Sequence, residues 1–175
     1  MRHWNKARTV GDLGNLMADW LEGRIPKRPG YFGGDTDPET QALLPTLIAC
    51  NRAGFVTEGS QPGQDGPAFD GRRWVQRAAV NGWVADDALY QRLVSGARRS
   101  GLTVADGRAM TITEWDGRPH TSCGGRISQR DLRTIWDGIS REAFRAVGQA
   151  HEVAIIDPQW GSSDRLWRML RQAVT

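Results

Sequence analysis

The stretch Asn51-Arg52-Ala53-Gly54-Phe55-Val56-Thr57-Glu58-Gly59-Ser60-Gln61-Pro62-Gly63 joins a helix to a strand and a turn. A helix opening at Pro38-Glu39-Thr40 leads into it. Gly54 ends the connection, and Phe55-Val56-Thr57 begins a buried strand. Two hydroxyls, Thr57 and Ser60, and one amide, Gln61, crowd the strand end. Polar groups gathered at the end of a buried strand suggest a small-molecule pocket.

Outward from that stretch, residues 10–22 place Leu13, Leu16, Met17 and Trp20 on one apolar helical face. Gly23 stops that helix, and Pro26, Pro29, Gly30, Gly33 and Gly34 make a loop. Asp37 can cap a second helix over 38–51, with Pro38 in the first position and an interruption or bend near Pro45. Residues 59–71, rich in Gly, Pro, Gln and Asp, read as a long loop. Residues 74–80 read as a strand. A helix over 85–100 turns Leu89, Leu93 and Val94 inward and stops at Gly101. Leu102-Thr103-Val104 and residues 109–115 read as strands. A helix over 129–149 carries Leu132, Ile135, Trp136, Ile139 and Phe144. Val153-Ala154-Ile155-Ile156-Asp157 is a buried strand, and Ser162 or Ser163 caps a last helix with Leu166, Trp167 and Leu170. Helices and strands mix without strict βαβ alternation. The expected class is α+β: a single domain over 1–175, with mixed or antiparallel sheets flanked by about five helices.

The 175 residues suffice for one domain with a real core. No apolar run approaches the ~20 residues that span a membrane, and nothing near Met1 reads as a signal peptide. A cytoplasmic protein without membrane contact is expected. Two cysteines are too few for a disulfide framework, and Cys50, in Leu47-Ile48-Ala49-Cys50, reads as a core thiol. The net charge of +3 comes from arginines spread from Arg2 to Arg171, without the clustered basic face that nucleic acid requires. Eight tryptophans supply core, with one or two free to line a pocket for a flat or cationic ligand.

No dinucleotide fingerprint, P-loop or zinc-protease motif is present. Glu58 stands where a nucleophile elbow before Ser60 needs glycine. His120 and Cys123 make half a metal site without a second pair, so no metal is expected. Glu114, Asp116 and His120 suit acid–base work, but a polar hairpin is the better account. The helix start at Glu39-Thr40 offers backbone N–H donors to a carboxylate or phosphate. The Glu39 carboxylate suits an ammonium, a ribose diol or a cationic centre. Each residue also has a plainer account. Glu39 complements the helix dipole, Thr57 is a β-former, and Ser60 and Gln61 supply turn chemistry beside Pro62-Gly63.

The Glu39-Thr40 helix start, followed by Asn51-Arg52-x-Gly54-Phe55-x-Thr57-x-x-Ser60-Gln61-Pro62, carries a resemblance. It is similar to the C-terminal regulatory domain of eukaryotic-type methylenetetrahydrofolate reductase, which binds S-adenosylmethionine (SAM). The similarity continues in order. It runs through Val75-Gln76-Arg77-Ala78, the helix over 87–99, Leu102-Thr103-Val104, Met110-Thr111 to Gly117-Arg118, and the strand at 153–157 with Leu166-Trp167. It implies that Glu39, Thr40, Thr57, Ser60 and Thr111 contact SAM or its product S-adenosylhomocysteine (SAH). Gln61, in the same turn, joins the candidate set. The family's flavin barrel has no counterpart here, so no flavin is expected. The family's linker, which adds ligand contacts, is missing too. Tyr31-Phe32-Gly33-Gly34 or Trp4 is the candidate substitute wall. Glu58-Gly59 stands where the family usually has Ile-Asn. The leading expectation is a stand-alone SAM/SAH-binding protein, a sensor or regulator of a separate protein partner. One alternative is an enzyme consuming SAM on this fold, motivated by Glu58, Glu114, Asp116 and His120. Another is a protein- or nucleic-acid-interaction module that has lost the ligand, motivated by the arginines.

Overall fold

The structure is a computed structural model and describes residues 3–31, 36–68 and 70–175. One long strand, β3 (Arg73–Val84), organises it by pairing along both edges. On one edge β1 (Phe55–Gln61) covers residues 79–84 and β2 (Gln64–Pro67) covers 73–76. On the other, β7 (His151–Trp160) covers 77–84 and β5 (Met110–Trp115) covers 74–76. β4 (Thr103–Val104) lies outside β7, and β6 (Arg118–Cys123) lies outside β5. Every pairing is antiparallel. Because β7 and β5 take successive stretches of one strand, the seven-stranded sheet divides there and curls.

Among the described residues there are six α-helices: α1 (Val10–Leu21), α2 (Leu44–Arg52), α3 (Asp87–Arg99), α4 (Gln129–Ile135), α5 (Arg141–Gln149) and α6 (Arg165–Val174). The fold is α+β in a single domain. Leu13 and Met17 of α1, Leu47 and Cys50 of α2, Leu93 of α3 and Leu170 of α6 share one core with Phe55, Val80 and Ile155. Strand alternation sends Ala79 and Ile156 to the other face, where they cluster with Ile112 of β5. Cys50 is wholly buried, as its apolar run suggests, and burial pushes its thiol up to about 12. No helix among the described residues is long and apolar enough to cross a membrane.

Four local expectations need correction. The segment read over 38–51 is interrupted beside Pro45, as expected, but its first part, Pro38–Leu43, is a 3-10 segment rather than α-helix, and α2 follows it. Pro38 and Pro45 each sit in the opening turn of a segment, where a missing N–H is tolerated. Asp37 makes no side-chain cap bond. The helix read over 129–149 is two helices, because Gly138 adopts a φ of 82° and Ser140 starts α5 by accepting from the Ala143 N–H. The apolar spacing carries across the break because Leu132, Trp136, Ala143 and Val147 all enter the same core. The loop read over 59–71 contains the end of β1 and all of β2, held by pairing with β3 rather than by propensity. Finally, α6 starts at Asp164 without a side-chain cap bond; Ser163 accepts from the Arg165 N–H and donates to buried Asp157.

Candidate functional site

The site grows from the joint between α2 and β1. Gly54, at a φ of 99°, reverses the chain at the end of α2. Asn51, in the last turn of α2, is buried. Its Nδ2 donates to Leu47 O at 2.8 Å and Thr57 Oγ1 at 2.7 Å, while its Oδ1 accepts from Thr57 N at 3.0 Å. This fixes the start of β1 against α2. A bulge between Thr57 and Gly59 then inserts Glu58 out of register with β3.

Between α1, the loop after it, the Pro38 segment and β1 lies a cavity of about 210 Å³. Thr40, Thr57 and Ser60 all line it, so three of the six candidate residues converge on one space. Its other walls include Trp20, Arg28, Tyr31 and Asp37. The Arg28 guanidinium carbon lies 5.1 Å from the centre of the Trp20 ring and 5.0 Å from that of Tyr31. The two rings meet edge to face at 5.5 Å. Arg28 Nη2 donates to Glu58 O at 3.3 Å. Arg28 Nε is buried without a hydrogen-bond partner among the described residues. Burial holds this guanidinium below its ordinary value, opposed by nearby Glu58 and Tyr31.

The other three candidates are elsewhere. Glu39 is exposed and accepts from the buried Gln76 side chain at 3.2 Å, off the cavity wall. Gln61 is a staple: its Nε2 donates to Arg77 O at 2.9 Å and Ile112 O at 3.0 Å, and its Oε1 accepts from Thr113 at 3.3 Å. Thr111 lies on β5, where its carbonyl accepts from Arg77 Nη1 at 3.4 Å, and it does not line the cavity. Of the two proposed substitute walls, Tyr31 lines the cavity, while Phe32, Gly33 and Gly34 lie outside the described residues. Trp4 is core: it is buried against Trp136 and donates to Lys27 O.

Residues 1–175 match a family described as a domain of unknown function, DUF6919. The chain belongs to the DUF6919 family. No curated protein matches it.

A second, larger cleft of about 510 Å³ in this DUF6919 domain lies where β5 and β6 fold over the other face of the sheet. Glu58 to Ser60 line both spaces, so β1 separates them. In the cleft, Asn81 Nδ2 donates to Glu58 Oε2 at 3.0 Å. Burial raises the Glu152 carboxyl, against an Ile127 backbone bond and the nearby Arg126. Burial, with Glu58 and Glu152 adding, pushes the Cys123 thiol up to about 11, which keeps it protonated and a poor nucleophile at neutral pH. Glu114, Asp116 and His120 belong to the β5–β6 hairpin. Its turn places Asp116 and Gly117 at φ of 48° and 73°, and Trp74 and Trp115 pack on His120. Among the described residues no group of three or more His, Cys, Asp or Glu side chains is placed to hold a metal ion.

The sequence reading missed Arg28 and Asp37 as wall residues and did not single out Trp20 among the eight tryptophans that could line a pocket. Arg28 stands in an aperiodic Pro-flanked loop among many scattered arginines, so no local signal marks it. Only the folding of that loop over Trp20 and β1 gives it a role.

Proposed function

We propose that this DUF6919 chain binds SAM or SAH in the cavity on the helical face of β1, as a sensor or regulator of a separate protein. The observation that carries this reading is the convergence of Thr40, Thr57 and Ser60 on one space walled by Trp20 and Tyr31. Hydroxyls suit the ribose and amino-acid groups of such a ligand. Ligand pockets commonly measure ~300–1,000 Å³. At about 210 Å³ the cavity accommodates one end of an adenosyl ligand, and the remainder extends from its mouth.

Titration calorimetry with SAM and with SAH tests the reading. Saturable binding is expected, and Ser60→Ala weakens it by roughly tenfold, the loss of about one good hydrogen bond. An absence of heat from folded protein at millimolar ligand contradicts the reading. SAM consumed during the titration would instead favour an enzyme.

A further inference from the structure

A buried guanidinium without a counter-ion is unfavourable, and a ligand anion relieves it. Arg28 is close to that position: its side chain is partly buried, and the Glu58 carboxylate lies near it without forming an ion pair. Among the described residues it has one hydrogen bond, to Glu58 O, a buried Nε without a partner, and no ion pair with any carboxylate. Trp20 and Tyr31 hold its plane at the cavity wall. Arginine stacked on aromatic rings presents its remaining donors in a fixed fork that fits a carboxylate. Asp37 lines the same cavity, with its Oδ1 3.5 Å from the Tyr31 hydroxyl and no ion pair with a described cation. Arg28 and Asp37, neither in an ion pair among the described residues, therefore face one small space, with Glu58 also on its wall and its carboxylate bonded to Asn81.

We propose that this cavity takes the zwitterionic end of an α-amino-acid ligand, its carboxylate on Arg28 and its ammonium on Asp37. The inference rests on the adenosyl reading only for what is attached to that end: it makes the amino-acid tail of SAH the part that enters. A volume of about 210 Å³ fits such a tail better than a nucleoside plus tail. The Thr40 and Ser60 hydroxyls then lie beside the charged groups.

The test uses three probes on the full chain: SAH, 5′-methylthioadenosine and L-methionine. The second is an adenosyl thioether without the amino-acid end, and the third is the end without the adenosine. SAH is expected to bind at least about tenfold more tightly than 5′-methylthioadenosine. Arg28→Gln is expected to weaken SAH about 10- to 100-fold and leave 5′-methylthioadenosine unchanged. Asp37→Asn is expected to weaken SAH in the same selective way. A thermal melt checks folding, and Arg28→Lys, which keeps the charge without the fork, gives an intermediate loss if the glutamine variant does not fold. Equal affinity for SAH and 5′-methylthioadenosine overturns the inference while the adenosyl reading stands. So does an equal loss of both in Arg28→Gln. Binding of L-methionine without SAH upholds the inference and overturns the adenosyl reading. If neither SAH nor L-methionine binds, both are overturned.

Discussion

Asn51 turns its whole amide inward, and two of its three hydrogen bonds join a helix end to the start of a strand, the third staying within the helix. Removing it leaves the buried Thr57 N–H without its side-chain acceptor and opens a small void. Asn51→Ala is therefore expected to cost about 2–4 kcal/mol in urea unfolding. Thr57→Val removes one hydroxyl and keeps the amide bond, so it costs about 1 kcal/mol. Equal losses in the two variants would contradict this assignment. The same network explains what was legible in the motif. Thr57 reads in sequence either as a β-former or as a ligand contact. In the structure its Oγ1 accepts from Asn51, six residues earlier, while the residue lines the cavity wall. Gln61 reads as a ligand group but staples β1 to β3 and β5. Part of the signal that resembles ligand chemistry is thus folding chemistry, and sequence spacing does not separate the two.

At the scale of elements, the periodic segments were readable and the joints between them were not. The α1 face and the helix over 87–99 follow directly from apolar spacing. β2 is exposed, with turn-like composition, and becomes a strand only because β3 extends beyond β1 and offers residues 73–76. The break between α4 and α5 was hidden because both helices feed one core in phase. The most demanding joint is β1 on β3. Gly82 lies opposite Thr57, and a Cβ there would collide with the Val56 carbonyl oxygen, a backbone atom unable to yield. Gly82→Ala is expected to lower stability by about 1–3 kcal/mol through overpacking, measured as a fall in the urea midpoint. It should also weaken SAH binding, because β1 forms a cavity wall. An unchanged midpoint would show that β1 sits less closely on β3 than described.

At the scale of the molecule, one strand divides two spaces. β1 faces the helices across a small cavity with Arg28, and faces the β5–β6 hairpin across a larger acidic cleft. The fold class was legible because irregular mixing of helices and strands excludes a doubly wound sheet. Which side of β1 the proposed ligand would take was not, because that depends on a loop brought over from residues 22–31. The central claim is that the adenosyl ligand enters on the helical side. Hydrogen exchange of the full chain, with and without saturating SAH, tests it most directly. The account predicts slowed exchange at the amides of Arg28, Tyr31, Thr40 and Thr57 to Ser60, with residues 121–127 of the larger cleft unchanged. Slowing confined to residues 121–127, or no slowing anywhere at saturation, would contradict it.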